Sequence, residues 1–246
     1  MKLIAAALVL ALAGPAAAQT VSPAIDAALA GPGRTDAEKA RDATRKPAEL
    51  LAFAGVKPGD KVADFIMGGG YFTKILAGVV GPTGRVYAYQ PAEFIGFRAA
   101  YGTEQDAAVA GLANVTPSRP SLAAFSFPEP LDAIVTIQNY HDLHLSMAPP
   151  GFAGVVAKKL FDSLKPGGVL LVVDHVANAD PDFKLPNTLH RIDPAAARKE
   201  IESVGFAFDA ESSILRLASD PHTTNVFDAA IRGKTDQFVH RYRKPG

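Results

Sequence analysis

Cysteine is absent from the 246 residues, which excludes disulfides, thiolate metal sites and a lipoprotein attachment site. Neither sign of charge is in excess, since 25 Lys and Arg face 25 Asp and Glu. A nucleic-acid partner normally leaves a basic surplus, and this chain has none. No Gly-x-Ser-x-Gly elbow occurs, so the usual signature of a Ser-His-Asp hydrolase is missing. The apolar run from Leu3 to Ala13 is too short to span a bilayer comfortably. Internal repeats and a second domain are not visible in the pattern either.

That apolar run does fit a secretory signal peptide. Lys2 precedes it, Gly14-Pro15 breaks it, and Ala16-Ala17-Ala18 offers a small-residue cleavage site before Gln19. The organisation read from this is a signal peptide over 1–18, a flexible leader over 19–34 rich in Ala, Gly and Pro, and one domain over 35–246. The mature protein is expected in a periplasm or outside the cell, with no stable membrane insertion after cleavage. Losing Lys2 leaves 24 basic against 25 acidic residues. The remaining length suits one domain with a sizeable core.

The domain is organised around Val62-Ala63-Asp64-Phe65-Ile66-Met67-Gly68-Gly69-Gly70-Tyr71-Phe72-Thr73. A short apolar run ends in three glycines, and Phe72, Ile75, Leu76 and Val79 then follow at helical spacing. The spacing predicts strand, tight turn and helix. Glycines at such a turn allow positive φ and close approach of a ligand to the main chain. The helix start would aim free N–H groups and a positive dipole end at that ligand. A second strand, Gly84 to Tyr89, ends in the polar Gln90, where nucleotide-binding α/β folds hold a ribose.

The remaining elements follow in order. Thr35-Asp36-Ala37-Glu38 is a capping box that starts a helix. Arg41, Asp42 and Arg45 recur along it, placed either on a solvated face or over a pocket. Pro47 opens a further helix to Ala54. Ala92 to Gly111 is expected to be helical with a break near Tyr101-Gly102, and Asn114 to Thr116 to form a short strand damaged by Pro117 and Pro120. Leu131 to Ile137 is a continuous apolar run, the mark of a strand buried on both faces. A helix over 151–164 leads through Lys165-Pro166-Gly167-Gly168 into a strand over 169–173. Asp193-Pro194 begins a helix ending at Gly205, and 206–208 with 237–242 read as a closing antiparallel pair. Strands separated by helices predict an α/β fold, a mostly parallel sheet with helices on both faces.

These residues resemble the class I S-adenosylmethionine-dependent methyltransferases. The resemblance rests on the 62–73 stretch and on Leu164-Lys165-Pro166-Gly167-Gly168 ahead of a strand. Asn139-Tyr140-His141-Asp142-Leu143 and Arg232-Gly233-Lys234-Thr235-Asp236-Gln237-Phe238 resemble an exported bacterial branch of predicted methyltransferases. The resemblance implies a Rossmann-like seven-stranded methyltransferase fold with S-adenosylmethionine across the carboxyl ends of the first two strands. It would set Asp64 near the methionine amino group, Gly68, Gly69 and Gly70 against the cofactor backbone, and Gln90 and Asn139 within reach of it. Three positions depart from the family pattern. Ile66 stands where the first glycine usually is, Gln90 replaces an acid expected on the ribose, and Ser121 sits where an acid commonly meets the adenine. A neutral amide makes weaker hydrogen bonds than a carboxylate.

Methyl transfer needs alignment of nucleophile and sulfonium, and a base where the nucleophile carries a proton. Tyr140, His141 and Asp142, after the fourth strand, are the catalytic candidates, with His141 orienting or deprotonating a small-molecule acceptor near the ordinary imidazole pKa. His144, His175, His190 and Arg191 could join the rim. His141 and His144 with Asp142, Asp174 or His175 could also supply metal ligands, but their i, i+3 spacing is common and no metal is assigned. The competing reading is a non-catalytic periplasmic protein that binds a small molecule on a methyltransferase scaffold, because the cofactor is made in the cytosol.

Overall fold

The computed structural model describes residues 20–246, so the expected signal peptide and its cleavage site lie outside the described residues. Four short helices open the described chain: α1 (Pro23–Ala30), α2 (Asp36–Ala40), α3 (Asp42–Arg45) and α4 (Pro47–Ala54). Then come β1 (Lys61–Phe65), α5 (Tyr71–Val80), β2 (Arg85–Tyr89), α6 (Ala92–Phe97), α7 (Ala100–Val109), β3 (Val115–Ser118) and β4 (Leu131–Ile137). A single 3-10 turn (His141–His144) leads to α8 (Phe152–Ser163), β5 (Leu164–His175), α9 (Pro186–Leu189), α10 (Pro194–Ser203), β6 (Ala207–Ser212) and β7 (Gln237–Arg243). No helix among the described residues is long and apolar enough to cross a membrane.

The seven strands form one sheet in the order β3-β2-β1-β4-β5-β7-β6. β1 to β5 pair in parallel, while β7 runs antiparallel to both β5 and β6. Parallel pairing requires a crossover between strands, and the helices between them supply it. One apolar layer packs Leu50, Leu51, Ile75, Leu76 and Val79 of α4 and α5 on one sheet face. The opposite layer packs Phe65, Tyr89, Phe125, Val156, Leu160 and Ile201 under α8 and α10. β4 has residues in both layers, as its unbroken apolar run requires. The order reverses beside β1, so the crevice at the carboxyl ends of β1, β2 and β4 is where such a sheet holds a ligand.

Three segments differ from the sequence expectation. The leader over 19–34 is not a loose tail in its described part, because 23–30 form α1 against α5. Ser22 accepts from the Ile25 amide as N-cap, and Pro23 occupies the first turn. Ile25 is 1 % exposed. A Cβ on Gly78 would lie 2.7 Å from the Cβ of Ala28, so the two helices touch at backbone distance. Composition hid this helix, since its buried stripe is only Ile25 and Ala28. Ile25→Ala is expected to cost about 2–5 kcal/mol, read as a lower denaturation midpoint; an unchanged midpoint would restore the mobile leader. The helix break after β2 falls at Arg98-Ala99 instead of Tyr101-Gly102. β5 begins at Leu164, because Gly167 donates to the Lys244 carbonyl (2.8 Å) and Lys244 to that of Gly168 (3.0 Å), drawing the Pro-Gly-Gly turn into the sheet.

Candidate functional site

At the carboxyl end of β1 the chain turns through Ile66, which has φ +63°. A β-branched residue in that left-handed region is an outlier and costs on the order of 1–3 kcal/mol. The side chain is 4 % exposed and packs in the core under the sheet, and such burial returns about 1.5–3 kcal/mol. Burial and strain are thus of similar size, which explains how isoleucine stands at a left-handed turn position that favours glycine. Asn139 Nδ2 donates to the carbonyls of Ile66 (2.9 Å) and Ile137 (2.9 Å). Asn139, expected beside the cofactor, instead uses that amide group to hold the ends of β1 and β4 together.

The three glycines have three different tasks. Gly68, at φ +55°, donates its N–H to Gln90 Oε1 at 2.9 Å, so the turn after β1 is tied to the end of β2. Gly69 is exposed, and a Cβ there would meet nothing within 4 Å. A Cβ on Gly70 would lie 2.3 Å from the Ala108 Cβ. The last glycine is therefore required for α5 to close on α7, and a larger side chain there disturbs the fold before it reaches any ligand. Gln90 is fully buried and its Nε2 has no hydrogen-bond partner among the described residues. A buried unmet donor costs about 1–3 kcal/mol. Near Ser121 an acid does stand, since the Glu93 carboxylate accepts the Leu122 N–H at 3.0 and 3.1 Å.

Asp64 is buried at the end of β1 and accepts from Thr73 Oγ1 at 2.6 Å. Burial raises its carboxyl to about 6, against the opposing pull of the Thr73 hydrogen bond and the Arg45 charge. Arg45 is itself lowered to about 10 by burial and by neighbouring Arg41. The helices ahead of β1 bring these cations over the glycine turn. Arg34, Arg41 and Arg45 lie 5.4, 5.0 and 4.9 Å from the Tyr71 ring. Tyr71 donates to Asp42 at 2.5 Å, Arg34 also bonds Asp42 (2.8 Å), and Lys74 pairs with Glu38 at 2.9 Å. The charged face of α2 and α3 is therefore a cap fastened to the first turn of α5.

After β4, neighbouring residues part company. Tyr140 is buried and its hydroxyl donates to Glu200 of α10 at 2.6 Å. Burial and Glu200 raise that phenol well above its ordinary range, so Tyr140 leaves the catalytic set and serves the packing of α10. His141 turns the other way. Its Nδ1 bonds Asp174 Oδ1 at 2.7 Å, its backbone N–H donates to Asp174 Oδ2 at 2.8 Å, and its Nε2 faces Asp142 Oδ1 at 3.3 Å. Burial disfavours the imidazolium, but Asp174 and Asp142 outweigh it and raise His141 to about 8. The expected titration near 6.5 thus moves upward. His175 goes down to about 4 through burial, and its Nδ1 bonds Thr235 Oγ1 at 2.7 Å.

His190 comes to the same place from the loop after β5. Its Nδ1 is 3.8 Å from Asp142 Oδ1, and its ring meets that of His141 edge-on at 5.4 Å. His144 diverges and stacks on Phe183 at 3.8 Å. Arg191 is committed to a fully buried pair with Asp220 at 2.8 Å. Asp174, grouped with His141 from the sequence only as one possible metal ligand, is its hydrogen-bond partner. The signal was available: β4 and β5 are parallel neighbours, so the last residues of one face the first residues beyond the other.

No family model and no curated protein sequence matches the chain. Solved structures do. A SAM-dependent methyltransferase from Aquifex aeolicus aligns with 20% identity over 83% of this chain and 98% of its own, at TM-score 0.55. Fibrillarin from Aeropyrum pernix, with S-adenosyl-L-methionine bound, aligns with 16% identity over 82% of this chain and 76% of its own, at TM-score 0.51. A possible exported protein from Bordetella parapertussis aligns with 15% identity over 84% of this chain and 68% of its own, at TM-score 0.53. Likeness at these identities concerns the fold. The chain has the Rossmann-like seven-stranded fold of the SAM-dependent class I methyltransferases.

Proposed function

We propose that the protein is an S-adenosylmethionine-dependent methyltransferase acting on a small-molecule acceptor outside the cytoplasm. The observation that carries this is Asp64: a carboxylate buried at the end of β1 with Thr73 Oγ1 donating to it at 2.6 Å, at a desolvation cost that raises it. An ammonium group placed against it would relieve the cost. The buried, unpartnered Gln90 Nε2 at the end of β2 supports the reading, as a donor suited to a ribose hydroxyl oxygen. The exposed Gly69 with open space above it supports it too. The residues present fit the cofactor.

When bound, the cofactor supplies an electrophilic methyl group on a sulfonium. Asp64 binds the amino group and fixes the end of the methionine chain. Gln90 keeps the glycine turn in register through Gly68, and its spare Nε2 would be the donor for the ribose. The cap of α2 and α3 holds the first turn of α5 in place beside the glycine turn. His141 and Asp142, at the carboxyl end of β4, hold and orient the acceptor. Orientation of this kind is where most of the acceleration of a simple displacement comes from.

Calorimetric titration with S-adenosylmethionine and S-adenosylhomocysteine tests the reading, and absence of binding to either would refute it. The structure selects the better variant for locating the pocket. Gly69→Val projects into open space, so it is expected to lower cofactor affinity at least tenfold with little change in melting temperature. Gly70→Ala is expected to lower the melting temperature instead, through its contact with Ala108. If Gly69→Val binds like the wild type, the cofactor lies elsewhere.

A further inference from the structure

We propose that His141, Asp142 and His190 form a binding site for a single divalent first-row transition cation, of the zinc or cobalt kind, at the carboxyl end of β4. One ligand atom from each of the three lies within 4.8 Å of the others. A tetrahedral ion bound at 2.0–2.1 Å separates its ligand atoms by about 3.4 Å. The edge from His141 Nε2 to Asp142 Oδ1 is already 3.3 Å, and that from Asp142 Oδ1 to His190 Nδ1 is 3.8 Å. Two imidazole nitrogens and one carboxylate oxygen are the ligand types such cations take, with an open position left over.

The surroundings point the same way. A metal-binding histidine commonly has its second ring nitrogen fixed by a carboxylate, which sets the tautomer and aims the first. Asp174 does this to His141 Nδ1 at 2.7 Å, and is itself fixed by the N–H groups of His141 (2.8 Å) and His175 (2.7 Å). His190 is placed from its own side by α9, whose C-cap it forms. It has φ +50°, its N–H donates to the Pro186 carbonyl at 3.0 Å, and its ring packs edge-on against Phe227 at 4.8 Å. The placement was not legible from spacing, because His144 at i+3 turns toward Phe183 while His190 arrives from 49 positions along the chain.

The site stands on these side chains alone and does not depend on methyl transfer. The test is direct titration of the chelator-treated full chain with Zn²⁺, and with Co²⁺ for its visible spectrum, without cofactor or acceptor. One equivalent is expected to bind, with the intense absorption of tetrahedral Co²⁺. His190→Ala, Asp142→Asn and His141→Gln should each lower affinity at least tenfold, and Asp174→Asn about 10- to 100-fold as a positioning residue. Glu211→Gln, at an exposed acid beside His240, should leave affinity unchanged. His190 is partly exposed, so His190→Ala keeps the test decisive if the buried variants fail to fold. Absence of stoichiometric binding, or binding equally strong in His190→Ala and Asp142→Asn, overturns the proposal. Metal binding without affinity for S-adenosylmethionine would uphold this site and refute the proposed function.

Discussion

Asp64→Asn is expected to weaken S-adenosylmethionine binding by about 1.5–3 kcal/mol, roughly 10- to 150-fold, while making the unliganded protein more stable at neutral pH. The first effect is the loss of a charge-assisted contact to the amino group. The second follows from proton linkage. The folded carboxyl is raised from 3.8 to about 6, so the folded state holds a proton that the unfolded chain has already released. Stability from that proton is fully present below pH 3.8 and is lost as pH rises through about 6. At pH 7.5 the wild type therefore bears a cost on the order of 3 kcal/mol, which the neutral amide does not. Asn can still accept from Thr73. Melting curves should show Asp64→Asn above the wild type at pH 7.5 and level with it near pH 4. Cofactor affinity of the wild type should fall as pH drops below about 6, while that of the variant stays flat there. Equal affinities at pH 7.5 would remove Asp64 from the pocket.

The largest loss of stability is expected from Asp220→Ala, about 3–5 kcal/mol, or on the order of 10 °C in melting temperature. Arg191 donates to Asp220 through two nitrogens at 2.8 Å each, and both side chains are fully buried. Asp220 also accepts the N–H groups of Asp236 (2.6 Å) and His222 (3.2 Å). Removing it strands a guanidinium in the interior and frees two amides at once. The double variant Arg191→Met/Asp220→Leu should cost much less, because no buried charge is left unpaired. Thermal or denaturant unfolding of both variants decides it; equal losses would mean that the stranded charge adds nothing to the packing and hydrogen bonds lost in both. The segment that this pair anchors carries Phe227 and Thr235, the neighbours of His190 and His175.

Legibility in the sequence followed the range of the interactions. The Val62–Thr73 stretch, the buried β4 run and the closing antiparallel pair depend on local pattern, and each folds where that pattern places it. The sheet order follows once the strand–helix alternation is recognised. Side-chain destinations were read less well, because they are set across the sheet. Tyr140 and His141 are adjacent, yet one turns to α10 and the other to β5, and nothing in their spacing separates them. Asn139 and Gln90 are polar groups at strand ends, as expected for ligand contacts, but Asn139 Nδ2 and Gln90 Oε1 bind the protein's own backbone. Arg41, Asp42 and Arg45 read more readily as a solvated face, and the Tyr71 ring beneath the guanidinia with the Tyr71–Asp42 and Lys74–Glu38 bonds distinguishes a cap.

The two rims of the sheet are both poorly suited to pair with a strand of another molecule. β3 is one border strand, and toward β2 it offers the carbonyls of Asn114 and Ser118 to Val86 and Gln90. The alternate positions face outward. There the Val115 N–H is already bonded to the Leu112 carbonyl at 3.1 Å, and Pro117 has no N–H at all. The same proline that damages the strand signal thus leaves this border without a donor for an incoming chain. At the far border, β6 is bent by a register shift between Phe208 and Ala210, and Asp209 between them pairs with Arg241 and Arg243. A kinked, charged border is a poor template for another strand. Both borders of the sheet, within the described residues, therefore disfavour edge-to-edge pairing with a strand of another copy.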